Sequence, residues 1–119
     1  MERKIVYFPE PGKQNTEEVL RIAKLRAEEG IRSILVASTT GDTAVKAVEA
    51  FKGARVVAVS HFTGFKGPNI QEFTEENRQT VVSRRGVVLT TTHAFSGLSR
   101  AMRKKFKMYL FEEVVANMR

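Results

Sequence analysis

The sequence predicts a layered α/β domain, a three-layer sandwich with a mostly parallel sheet, on three observations. Short apolar runs rich in β-branched residues recur at 4–8, 33–37, 55–60 and 87–92. Segments with helical apolar spacing alternate with them. Two continuous apolar runs joined by a short helix indicate parallel strands connected right-handedly, not a hairpin.

In chain order, residues 4–8 (Lys-Ile-Val-Tyr-Phe) read as a buried first strand, stopped by Pro9, Pro11 and Gly12. Asn15-Thr16-Glu17-Glu18 then reads as a capping box, with Asn15 accepting from first-turn N–H groups and Glu18 reaching back. Val19, Ile22, Ala23 and Ala27 fall on one helical face, with Arg21, Lys24 and Glu28 on the opposite one, and Gly30 ends the helix. The second strand, 33–37, enters a loop at 38–43, and a helix from Thr43 to about Lys52 closes at Gly53. Residues 55–60 form the third strand, followed by a glycine-rich loop at 61–68. Thr74 caps a helix running to about Arg85, where Gly86 stops it. After the fourth strand, 87–92, comes a loop at 93–97. Leu98, Met102 and Phe106 at i, i+4 and i+8 then mark a helix face, and a last helical stretch covers 109–118.

A chain of 119 residues, 42% hydrophobic and 28% charged, suits one globular domain over 1–119. No apolar run approaches the roughly 20 residues of a membrane span, and the N-terminus lacks a signal peptide's apolar stretch, so a cytoplasmic protein with no membrane partner is expected. The absence of cysteine excludes disulfides, Cys-based zinc sites and thiol chemistry. Two histidines are too few for a metal cluster, so no metal is expected except as a counter-ion carried by a ligand. No Ser-His-Asp or paired-carboxylate arrangement is legible, and catalytic residues stay unassigned.

A net charge of +7 favours anionic partners. Arg84 and Arg85 form one basic knot; Arg100, Arg103, Lys104, Lys105 and Lys107 form another. Two readings of such runs stay open, a solvated helix face and an anion-binding one.

The loop Ser38-Thr39-Thr40-Gly41-Asp42-Thr43 lies between an apolar strand and a helix. A loop of this kind aims unpaired backbone N–H groups and the positive end of the helix dipole at one point, where a phosphate fits. Asp42 counts against an anion unless it points away, and the hydroxyls also serve as ordinary caps. In a parallel sheet the loops leaving strand C-termini share one edge, here 9–15, 38–43, 60–67 and 92–97. Both histidines, His61 and His93, lie in these loops, as general acids, flavin or base contacts, or simple loop hydrogen-bonders. Ser96-Gly97 reads as an N-cap, and Arg100 either reaches a phosphate or stays in solvent. Tyr7, Phe8, Phe62 and Phe65 could stack on a planar ring, although Phe8 also reads as core.

Four pieces together carry a family resemblance: Tyr-Phe-Pro-Glu-Pro-Gly-Lys-Gln-Asn-Thr (7–16), Val-Ala-Ser-Thr-Thr-Gly-Asp-Thr-Ala (36–44), Val-Ser-His-Phe-Thr-Gly-Phe (59–65) and His-Ala-Phe-Ser-Gly-Leu-Ser-Arg (93–100). In that order, the chain resembles the small archaeal-type proteins related to the C-terminal α/β domain of pyruvate kinase. The resemblance implies strand order 3-2-1-4-5 and an FMN-type ligand, with Ser38, Gly41 and Thr43 on its phosphate. Gly12, Asn15, Thr16, Thr63, Gly64, His93 and Ser96 would line the crevice, and Thr39, Thr40, Gly97 and Arg100 complete the candidate set. It does not imply pyruvate kinase activity, which resides in a barrel domain of that enzyme.

Relatives continue past the last helix with at least one more strand, whereas this chain ends at Arg119. The fourth strand is therefore expected to be an exposed sheet edge, open to a homo-oligomeric partner or leaving a reduced pocket. Lys107 and Met108 also stand where the family has a glycine-rich turn. The expected function is binding of a phosphorylated, aromatic small molecule, FMN first. The rivals are nucleic-acid binding through the basic C-terminal helices and an assembly role.

Overall fold

The computed structural model describes residues 4–94 and 96–107. After one 3-10 turn at Lys13–Asn15, the order is α1 (Thr16–Glu28), β1 (Ser33–Ala37), α2 (Asp42–Ala50), β2 (Arg55–Ser60), α3 (Glu75–Ser83), β3 (Val87–Thr90) and α4 (Ser96–Phe106). The helix expected over 109–118, and the turn at Met108, lie outside the described residues.

The three strands are parallel, in the order β1-β2-β3. Their register aligns Val36, Ala58 and Val88 in one row and Leu35, Val57 and Val87 in the next. Because strand side chains alternate between faces, only the first of these rows can meet the helices. It does so: Val56 and Ala58 form one core with Leu20, Ala47, Val48, Phe51 and Val81 from α1, α2, the turn after α2, and α3. Full burial of such a side chain contributes about 1.5–3 kcal/mol. The exposed ion pairs Arg21–Glu18 and Arg26–Glu29 are each worth at most about 1 kcal/mol. Apolar burial holds this fold. Of the three layers expected, the described residues fill two, and Leu35 on the far face is 76% exposed.

The first strand is a correction. Residues 4–8 carry no strand, and Tyr7 is 87% exposed. β-propensity is realised only where a run finds a neighbour to pair with. Here β3 hydrogen-bonds β2 directly and leaves nothing for 4–8 to bridge. The order 3-2-1-4-5, which needs that strand in the middle, is replaced by a sequential order with no reversal point. The expected fourth strand, β3, does form an edge.

Local signals fared better, with two exceptions. Asn15 makes no side-chain cap; its Nδ2 donates to the Glu10 carbonyl at 2.6 Å. Glu18 does not reach back but accepts from Arg21 at 2.6 and 2.7 Å, a hydrogen-bonded pairing that holds its carboxyl below the usual range. Nor does Ser96 cap α4: it is the helix's first residue, and its Oγ donates to the His93 carbonyl at 3.1 Å. Thr74 does cap α3, its Oγ1 accepting from the Asn77 N–H at 3.2 Å. Thr74→Ala is expected to lower stability by about 1 kcal/mol in urea unfolding, as loss of an N-cap acceptor does; Thr74→Ser should retain most of it.

Candidate functional site

The site begins where β1 stops. The Ser38 N–H donates to the Val59 carbonyl at 3.0 Å, extending the ladder past Ala37, and its buried Oγ accepts from the Ala44 N–H at 3.3 Å. That hydroxyl is committed to the first turn of α2. Thr39 is half-buried, while Thr40 is exposed and its Oγ1 donates to Asp42 Oδ2 at 2.9 Å. Gly41 turns the chain into α2 at φ +103°, a conformation that favours glycine. The N–H groups of Asp42 and Thr43 open the helix, where no intrahelical acceptor exists.

Asn77 decides where the Asp42 carboxylate goes. Its Nδ2 donates to Asp42 Oδ1 and to the Thr40 carbonyl, both at 3.1 Å, and the Thr74 N–H donates to that same carbonyl at 3.1 Å. Asp42 is thereby drawn toward α3. The 38–43 loop is in effect a clamp between two helix N-termini.

A second group gathers at the ends of β2 and β3. Ser60 is buried, with its Oγ 2.7 Å from Thr90 Oγ1, and Arg78 Nη2 donates to Thr90 Oγ1 at 3.3 Å. His93 Nε2 lies 3.2 Å from the Ser60 carbonyl. His61 Nδ1 pairs with Glu72 Oε2 at 2.8 Å, and its ring packs on Phe65 with centroids 3.9 Å apart. Phe62 meets Phe65 edge-on at 5.5 Å, and the Arg100 guanidinium sits 4.6 Å from the Phe65 ring centre. Arg100 therefore belongs to this cluster through a cation–π contact. Thr63 Oγ1 accepts from Gln71 Nε2 at 3.2 Å, and Gly64 (φ +96°) bonds to the Ile70 carbonyl.

Residues 71–77 join the two groups. Gln71 and Glu72 hold the 61–63 loop, while Phe73 and Asn77 pack on Gly41. Sequence reasoning placed the Thr74 cap here but missed the segment's bridging residues Gln71, Glu72, Phe73 and Asn77. One signal was available: Phe73 immediately precedes the Thr74 cap, and Arg78 is the fourth helical residue, the positions of a hydrophobic staple. The structure fills them with a cation–π pair, Arg78 at 5.6 Å from the Phe73 ring.

The remaining candidates lie elsewhere. Gly12, Asn15 and Thr16 surround the start of α1, whose nearest tie to α2 is the Glu17–Lys46 ion pair. Gly97 is exposed in the first turn of α4. Farther along α4, Arg100, Arg103 and Lys104 line one shallow hollow with Lys107 just past the helix end. Among the described residues no group of three or more His, Asp or Glu side chains is placed to hold a metal ion, and no helix is long and apolar enough to cross a membrane. No protein-family model matches the chain.

Proposed function

We propose that the chain binds a phosphorylated ligand with a planar aromatic part, FMN foremost, at the sheet edge where β1, β2 and β3 end. The start of α2 carries this reading. A strand delivers hydroxyl residues and a left-handed glycine to a helix whose first N–H groups are open to an acceptor. Asp42 fits an anion only because Asn77 and Thr40 draw its carboxylate to one side. Thr39, Thr40 and Thr43 would hold the phosphate beside those N–H groups. Ser38 would position the helix, since its hydroxyl already accepts from Ala44.

The aromatic part would sit toward Phe62, Thr63 and His93, with Arg100 offering a cation for a second anionic group. FMN, when bound, supplies electron transfer at its ring; the residues here bind and orient it. Phe65 is already packed by His61, Phe62 and Arg100, so it serves as a wall.

The test is the visible spectrum of the full chain after FMN is added and the excess removed by gel filtration. Asp42→Asn sharpens it. A carboxylate about 5 Å from a phosphate repels it by about 0.8 kcal/mol per unit charge in water, so its removal should tighten FMN about fourfold or more. The fold should lose only a few tenths of a kcal/mol, since Asp42 also complements the helix dipole. No retained flavin, or an affinity unchanged in Asp42→Asn, would remove the phosphate from the α2 N-terminus.

A further inference from the structure

The opposite edge of the sheet carries a basin that the proposed ligand does not use. It is a half-open hollow of about 780 Å³, a volume usual for small-molecule sites. Val48, Phe51 and Val56 contribute apolar lining, and Lys52, Arg55, Arg84 and Arg85 supply four cations. The only carboxylate in the lining, Glu49, is paired with Arg84. Lys52, Arg55 and Arg85 face no carboxylate partner among the described residues, so the basin keeps a net charge of +3.

Basic residues often gather where helices end, because they offset the negative pole of the helix dipole. Here α2 ends at Ala50 and α3 at Ser83, each contributing about half a negative charge at this edge. Together they account for about one of the three unpaired cations. The rest is surplus for which the helix ends give no reason.

Arg85 gives a second, independent indication. Helix α3 closes with the Arg85 N–H on the Val82 carbonyl and the Gly86 N–H on the Val81 carbonyl, both at 2.9 Å. In this closing motif the residue at Arg85 is left-handed and is most often glycine. The turn after α1 does use glycine there, Gly30 at φ +111° directly after the Glu29 cap. Arg85 instead holds φ +64° with an exposed side chain, accepting a backbone strain that no packing contact explains. Gly86 is no substitute for it, because a Cβ there would meet Val81 and Val48 at 2.6 and 2.7 Å.

We infer that this basin, bounded by Lys52, Arg55 and Arg85, is a second anion site that takes the oligophosphate group of a small ligand, separate from the site at the start of α2.

Inorganic tripolyphosphate is the probe, titrated calorimetrically into the full chain, with a single-stranded oligonucleotide as the alternative source of the same phosphates. The inference expects saturable one-to-one binding that weakens 30-fold or more in Lys52→Gln/Arg55→Gln/Arg85→Gly. Arg85→Gly alone should separate the two roles of that residue: Tm should rise by about 3 °C as strain is released, while tripolyphosphate affinity falls several-fold. Lys107→Gly, another left-handed basic residue but outside the basin, should leave affinity unchanged. The inference is overturned if the triple variant binds as the parent does. It is equally overturned if Arg103→Gln/Lys104→Gln abolishes binding instead, or if only the oligonucleotide binds.

Discussion

Replacing Phe73 with alanine is expected to destabilise the protein by about 3–5 kcal/mol, the range for deleting a buried aromatic ring. Phe73 is 3% exposed and belongs to the core, yet it sits between the 38–43 and 61–68 loops. Its ring edge meets Gly41, its N–H donates to Gln71 Oε1 at 2.9 Å, and Arg78 lies over its face. The loss should therefore be local as well as global. In hydrogen exchange, the Thr74 amide, bonded to the Thr40 carbonyl, should lose protection by more than the central amides of β2 do. Urea unfolding with a loss below about 1 kcal/mol would mean that the ring is not the clamp described. Phe73→Leu keeps much of the volume and should lose about a third as much.

Gly41→Ala should destabilise by about 2–5 kcal/mol, and two terms add to that figure. At φ +103° an L side chain is strained by about 1–2 kcal/mol. The added Cβ would also lie 2.5 Å from the Asn77 Cβ and 2.8 Å from Phe73 Cε1, and overpacking of this kind costs about 1–3 kcal/mol. The two terms separate in a double-mutant cycle. With Phe73→Ala already in place, the ring contact is gone, and Gly41→Ala should become milder by about 1 kcal/mol or more. Strict additivity would show that the Phe73 ring adds nothing to the cost, leaving it to backbone strain and the Asn77 contact. Gly41 is thus required by packing whether or not a ligand binds. For that reason an exposed neighbour, Asp42, is the better probe of phosphate binding.

How much of this was legible without coordinates can be followed residue by residue. The strands at Ser33–Ala37 and Arg55–Ser60 have the bounds that their β-branched apolar runs indicate. Thr74 caps its helix, and Gly30, Gly41 and Gly53 occupy left-handed positions where a strand or helix turns. These are local properties. Propensity, capping and backbone conformation are decided within a few residues, so the order of the sequence contains them. The same holds for the α2 N-terminus, which a strand, a glycine and hydroxyls mark out before any fold is known.

Residues 4–8 show the limit of that reasoning. Their composition is that of a strand, but composition does not choose a partner, and β3 pairs directly with β2. The clamp on the 38–43 loop was hidden for the same reason. Asn77 reaches Asp42 and Thr40 across 35 and 37 residues, and no local pattern encodes that reach. The sequence by itself determined the α/β class, the turns and the helix start after Gly41. Only the tertiary structure decided which strands pair, where the Asp42 carboxylate points and that Lys52, Arg55 and Arg85 meet in one basin. Those outcomes depend on distant groups competing for the same edges and partners, which local propensity does not determine.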